Sequence, residues 1–454
     1  MMRHCFLLVA ALVLASPPAS ASPQFELVLN GGRVIDPQTK TDAIQNVGID
    51  HGKVVAITTE LLTGLVELDV RGLVVAPGFI DLHSHTPTPL GQRLQLQDGV
   101  TTSLELEAGA YPVAGFGEQV RDTPRINFGT SVGFGSIRLE VMSGIRRAHI
   151  ITSSTKIIGL RGAWTAFRSL FMTPTEAFEK RSSARERGKM REALTAGLAE
   201  GGLGIGLPLD YISEAVDDEE LRMIFEVASA HATPVFVHIR RGINGDPAGL
   251  LEVLAVAEAT GASLHICHIQ HNAMGNIETF LSEIRSARAR GVDVTTELLP
   301  YNAGSALISS AVFGRDWKTI FNISYEDVEW AATGERFDQA MWQEYRDKYP
   351  SGQVIHHYVK EGWTRRALVE PGVIVVSDTL PIVSRDVKAA PHIGTFAKIL
   401  GRYVRETPLL SLNDALAKMT LLPAQRLEKI APVFARKGRL QVGADADITV
   451  FDPA

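Results

Sequence analysis

The chain has 454 residues, 45% hydrophobic, 21% charged and 7% aromatic, with 40 Gly and 22 Pro, a composition that excludes a disordered, collagenous or coiled-coil protein. Its 45 Lys and Arg nearly balance 51 Asp and Glu, for a formal net charge of −6 with no long basic run, so nucleic acid is not expected as a partner. Two cysteines, Cys5 and Cys267, exclude a disulfide framework.

The first feature in chain order is an apolar run, CFLLVAALVLA, behind Arg3 and His4. It is too short to span a bilayer and ends in SPPASASP, where Ala19 and Ala21 give a small-x-small cleavage pattern. Residues 1–21 therefore read as a secretory signal peptide, and the mature chain is expected to be exported, periplasmic or secreted, with Cys267 as its only cysteine. No later segment is long and apolar enough to span a membrane.

Residues 22–75 alternate Val, Ile and Leu between the turn signals NGG, DHG and RG, which predicts short strands and tight turns. Residues 431–454 return to the same pattern, so the two ends are predicted to build one small β-sandwich around a central domain of residues 76–430. In that centre, FIDLHSH, VTTSLELEAG, LGIGLPLD, TPVFVHIR, ASLHICHIQ, VDVTTELLPY, VIHHYV and VIVVSD read as strands. Amphipathic helices such as DEELRMIFEVASAHA lie between most of them. The alternation predicts an α/β protein with a (β/α)8, TIM-like barrel. Residues 135–189 fit neither pattern clearly.

Histidines and acids crowd the C-terminal ends of these strands, where barrels keep their chemistry. His83 and His85 lie two apart and are expected to share a face, half of a site for zinc or a similar ion. Alternation in LELEAG places Leu104 and Leu106 against the helices and turns Glu105 and Glu107 inward. A buried carboxylate needs a cation, and Glu107, nearer the strand end, is the candidate bridging ligand, with Glu105 as the alternative. His238 closes VFVHIR on the face of Phe236. His265 and His268 have opposite parity; His268 is the better ligand, His265 is expected to face the helices, and Cys267 to point away from His268. Asp378 ends VIVVSD. The set His83, His85, Glu107, His238, His268 and Asp378 suits one or two divalent ions. His51, His149 and His231 read as ordinary surface or core residues.

These segments, in this order, resemble the amidohydrolase superfamily and within it the N-acyl-D-amino-acid deacylases, the D-aminoacylase and D-glutamate deacylase-like branch. The resemblance runs through APGFIDLHSH, DGVTTSLELEAG, VHIR, ICHIQHNAMGN, VVSDTLP and the tail MTLLPAQRLEKIAPVFARKGRLQVGADADITVFDP. It implies that His83 and His85 hold the more buried metal and His238 and His268 the other, with Asp378 both ligand and general base. It also implies a metal-activated water that attacks the amide of an N-acyl-D-amino acid. The chain departs from the branch in reading LEAG where D-aminoacylases carry a cysteine, and in carrying Gln270 where they keep a lysine for the substrate carboxylate. Arg240 or Arg385 is the expected replacement. Tyr211, Arg240, Tyr301 and His357 are the candidate substrate-binding residues, with His357 and Tyr301 as oxyanion donors. Two other readings stay open: another amidohydrolase reaction on a dipeptide, cyclic amide or lactone, and a metal-binding protein without turnover.

Overall fold

The computed structural model describes residues 24–159, 176–382, 384 and 393–454; the predicted signal peptide and Arg385 lie outside them. The N-terminal segment forms strands β1 (Phe25–Asp36), β2 (Thr41–Asp50), β3 (Lys53–Thr58), β4 (Gly64–Asp69) and β5 (Val74–Pro77). The last strand, β19 (Ile448–Phe451), pairs antiparallel with β5, giving one six-stranded sheet in the order β19-β5-β1-β2-β3 with β4 beside β1. Val28, Val34, Val47, Val54 and Val75, at the buried positions of the alternating runs, are wholly enclosed there.

Eight parallel strands follow: β6 (Phe79–Asp81), β7 (Val100–Ala110), β8 (Asn127–Gly133), β11 (Ile205–Leu207), β12 (Pro234–Val237), β13 (Ser263–Ile266), β14 (Val294–Leu298) and β18 (Val373–Val375). They run in sequence order from β6 to β18. The seam between first and last is closed at its top by a bridge from Ser84 to Thr379 and by the Asp378 N–H donating to the His83 carbonyl at 2.8 Å. The fold is the expected α/β barrel. No helix among the described residues is long and apolar enough to cross a membrane.

The strand count of eight hides one exchange. Asn127–Gly133 (NFGTSVG) is the third barrel strand, although its Gly, Ser and Thr content resembles a loop. VIHHYV lies outside the barrel: Gln353–His356 (β17) is the centre of a three-stranded sheet with β15 (Gly304–Leu307) and β16 (Val328–Trp330). That sheet belongs to an excursion between β14 and β18, held by its own aromatic core of Phe313, Trp317, Phe321, Phe337, Trp342 and Tyr358. The unassigned stretch 135–189 contributes the helix Phe134–Ser143, a two-strand pairing of β9 (Ile145–Arg146) with β10 (Lys156–Ile157), and the start of the helix Ala184–Ala199. Ser183 and Glu186 close a capping box at that last helix, which satisfies two of its orphan amide groups.

Two apolar layers flank the barrel wall. Ile205, Leu207, Val235, Val237, Leu264, Ile266, Val294 and Leu298 join the helices. Ile80, Leu82, Leu104, Leu106, Phe236, Ile374 and Val376 meet inside. Leu104 and Leu106 are thus interior residues, contrary to simple alternation, because β7 is irregular: its register slips against β6 at Phe79/Ile80 and against β8 beyond Glu105.

Candidate metal centre

Glu107 stands in the middle of the barrel mouth with its two oxygens facing different histidines. Oε2 lies 3.2 Å from His83 Nε2 and 3.6 Å from His85 Nε2. Oε1 lies 2.8 Å from His238 Nδ1 and 3.0 Å from His268 Nε2. Asp378 Oδ1 approaches the first pair, 3.4 Å from His83 Nε2 and 3.2 Å from His85 Nε2, and those two nitrogens are 3.2 Å apart. A tetrahedral ion with nitrogen and oxygen ligands at about 2.05 Å separates its donors by about 3.3 Å. The Glu107, His83 and His85 atoms, and the Asp378, His83 and His85 atoms, therefore each have the spacing of donors in a zinc-type site before any ion is considered. Glu107, His238 and His268 form a second three-donor group. Glu105 does not share this central position; it sits behind His85.

Strand ends put these side chains there. His83 and His85 follow β6 directly, and His238 is the next residue after β12. His268 and Asp378 are reached by leaving the strand: both have left-handed backbones, φ 31° and 53°, a conformation uncommon outside glycine. The turn after β13 is why parity does not decide which histidine is a ligand. His265 follows the strand rule instead. Leu264 and Ile266 face the helices, so His265 points into the barrel, where it is wholly buried. The expectation that it faced the helices fails on that parity.

The nitrogens that do not face Glu107 are held from behind. His83 Nδ1 lies 2.6 Å from Glu297, whose other oxygen is 2.9 Å from His265 Nε2. His85 Nδ1 lies 2.6 Å from Glu105, which is also 2.9 Å from His149 Nε2. Carboxylates in these positions orient metal-ligating imidazoles and raise their basicity. Cys267 is buried near this layer as well, grouped with His83 and Glu297 rather than turned away from the site. Burial first and Glu297 second push its thiol well above the usual range, so it remains protonated.

Charge balance also favours a cation. Burial opposes positive charge on His83, yet Asp378, Glu107 and Glu297 outweigh it and raise its pKa well above normal. His85 is likewise raised to about 10 against its burial, chiefly by Glu105. Burial works against ionised Glu107 too, but the surrounding histidines pull its pKa well below normal. Protons on histidine here satisfy carboxylates that a divalent ion would satisfy better. On the other side of Glu107, burial and then Arg241 bring His238 down to about 4, leaving it a neutral ligand.

A cavity opens beside Asp378. Of the four predicted substrate residues, Tyr211 lines it, with its ring 5.0 Å from that of His238. Arg240 and His357 each miss by one residue. Arg240 pairs with Glu252 at 2.7 Å and donates to the Val216 carbonyl, while Arg241 lines the cavity. His357 faces Glu329 at 3.0 Å, while buried His356 lines the cavity. Tyr301 lies under the Lys398 ammonium, 4.2 Å from its ring centre, and its carbonyl faces His271 at 3.2 Å. Sequence reasoning overlooked Glu297, His149, Asp210, Arg241 and His356. Glu297 had a signal, an acid at inward parity with Thr295 on a recognisable strand; His149, in an irregular loop, had none.

A family model for the amidohydrolases matches residues 74–454. The chain belongs to the amidohydrolase family. As such it is a metal-dependent hydrolase acting on amide C–N bonds. It is similar to an N-acyl-D-glutamate deacylase of Alcaligenes xylosoxydans xylosoxydans, 29% identical over 94% of this chain and 88% of that one. It is also similar to a D-aminoacylase of the same organism, 28% identical over 96% and 90%. Among solved structures, the N-acyl-D-glutamate deacylase of Bordetella bronchiseptica, complexed with zinc and a phosphonate inhibitor, shares the fold. Its TM-score is 0.73 at 24% identity, covering 94% of this amidohydrolase and 90% of that chain. These relatives lie on the deacylase branch that the motifs resemble.

Proposed function

We propose that this amidohydrolase is an exported deacylase that hydrolyses an N-acyl-D-amino acid to a carboxylate and a free D-amino acid. The observation that carries the reading is the shared Glu107 carboxylate between two histidine pairs, opening with Asp378 onto a cavity lined by Tyr211 and Arg241. The names of the two curated relatives favour N-acyl-D-amino acids, N-acyl-D-glutamate among them.

His83, His85, Glu107 and Asp378 would hold one divalent ion, zinc by donor chemistry, and Glu107, His238 and His268 a second. Bound there, the metal supplies Lewis-acid activation of water and of the scissile carbonyl. Asp378, with 23% of its side chain exposed, takes the proton from the attacking water and passes it to the leaving nitrogen. Tyr211 keeps its hydroxyl proton, because burial and then Glu107 raise its pKa, and donates to the carbonyl oxygen as negative charge grows. Leu299, Val312 and Leu380 wall the cavity and limit water around the reacting atoms.

The test is turnover by metal-loaded protein of N-acetyl-D-glutamate, other N-acetyl-D-amino acids, their L-isomers, dipeptides and hydantoins. Preference for an N-acyl-D-amino acid supports the reading; preference for a cyclic amide or dipeptide replaces it with another reaction of the family. Export is tested separately: the N-terminal sequence of the mature protein should begin at Ser22.

A further inference from the structure

We propose that Arg241 receives the free carboxylate of the substrate, so that the site selects amides carrying an anionic group. The inference rests on the deacylase reading for the nature of the amide, though not for the anion preference.

Arg241 lies three residues beyond His238, and its side chain is only 8% exposed. It is the one lysine or arginine lining the cavity among the described residues, and it shares that wall with Asp378 and Tyr211. Its ionic partner is Asp210, which receives the Arg241 amide N–H at 3.0 Å and the guanidinium at 3.3 Å. The same buried carboxylate also pairs with Arg315, at 2.9 Å. Two guanidinium groups therefore divide one carboxylate as their direct ionic partner, and Glu107 acts on Arg241 only as a further, unbonded charge. A buried guanidinium that shares its one bonded partner keeps donor capacity for a further anion, and the cavity it lines is where an anion arriving with the ligand would meet it.

Orientation follows from the neighbours. The Phe321 ring lies 5.6 Å from the guanidinium carbon, a stacking contact that fixes its plane. Asp210 holds one Nη, and Nε is buried without a partner. The second Nη makes no hydrogen bond to a described residue and is the donor left for a ligand. His356, also in the wall, does not compete as a cation: burial, then Arg241, hold it down to about 3. An N-acyl amino acid carries its carboxylate two bonds from the amide nitrogen, so one cavity can hold the amide at Asp378 and the carboxylate at Arg241. Asp210 is the positioning residue, and through Arg315 it ties the aromatic excursion to the same point.

The test uses metal-loaded wild type, Arg241→Gln and Arg241→Lys on a hydrolysed N-acyl amino acid and on its carboxamide counterpart. Loss of a charge-assisted hydrogen bond predicts a wild-type preference for the carboxylate of about 10- to 100-fold in kcat/KM, near parity in R241Q through a raised KM, about threefold or less change on the carboxamide, and partial recovery in R241K. An equal loss on both substrates, or an intact preference in R241Q, overturns the proposal. Should R241Q fail to give a cooperative thermal transition, the wild type decides: indifference to the carboxylate overturns the assignment and the predicted preference supports it. Wild type that cleaves an anionic amide other than an N-acyl-D-amino acid removes the deacylase reading while leaving the Arg241 proposal standing or falling on the same ratio.

Discussion

At the scale of residues, the centre depends on Glu107 serving both histidine pairs at once. Glu107→Ala removes the carboxylate whose two oxygens face the two pairs, so elemental analysis should find the metal content of the wild type substantially reduced; an unchanged content would exclude the shared-ligand role. Asp378→Asn retains shape and one ligand oxygen but loses the proton acceptor. It should lower kcat about 10²- to 10⁴-fold with a smaller effect on metal content, as steady-state kinetics on replete protein would show. The clustering of His83, His85, Glu107, His238, His268 and Asp378 was legible because histidine and acid at strand ends are costly to bury for packing alone. Arg240 and His357 each stand one position from a residue that lines the cavity, because both follow strand ends, where the local turn and not residue spacing sets side-chain direction. Arg241 takes Asp210 through both its backbone and side chain, a non-local contact that no local pattern announces.

At the scale of elements, β7 matters most, because its irregular course presents Glu105 and Glu107 while Leu104 and Leu106 fill the interior. Beyond β8, β11 permits this through Gly206, where an added Cβ would fall 2.5 Å from the Glu107 carbonyl oxygen and 2.6 Å from Ser131 Oγ. Gly206→Ala should therefore cost about 1–3 kcal/mol of stability by overpacking and reduce metal occupancy together with it. Denaturant unfolding and metal analysis on one preparation would check both; a stable variant with full occupancy would show that β7 tolerates the shift. Seven of eight barrel strands announced themselves through Val, Ile and Leu. The eighth, β8, did not, because Gly129 and Gly133 sit where neighbouring chains come close: a Cβ at Gly133 would lie 2.6 Å from the Ala108 carbonyl oxygen. There the barrel needs small residues rather than β-formers.

At the scale of the molecule, the barrel's seam is its least regular part, since β6 and β18 share an isolated bridge instead of a ladder. The outer layer reinforces it. Asp98 ends the helix Pro89–Gln97, which follows the first barrel strand, and accepts the N–H groups of Phe396 and Ala397, at 3.0 and 2.9 Å, beyond the last one. Burial raises its carboxyl to about 6, above the unfolded value of about 3.9. The folded state therefore binds the proton more tightly than the unfolded chain, and the contribution of Asp98 to stability falls as pH rises from about 4 to about 6. Asp98→Asn should lose that slope, so the stability difference, wild type minus variant, should decline over this interval in urea titrations. A flat difference would show that the seam carbonyls and amides, not ionisation, govern the tie.

The excursion between β14 and β18 has its own aromatic core and lends the cavity Gly304, Ser305, Ala306, Val312 and His356, whereas none of the six metal-site donors comes from it. The excursion thus carries part of the cavity wall, while Tyr211 and Arg241 contribute the rest from the barrel. Selection can rework which molecule enters by exchanging residues 304–359 while the reacting centre is inherited intact, and recombination of that segment among homologous barrels is a direct route to altered substrate range.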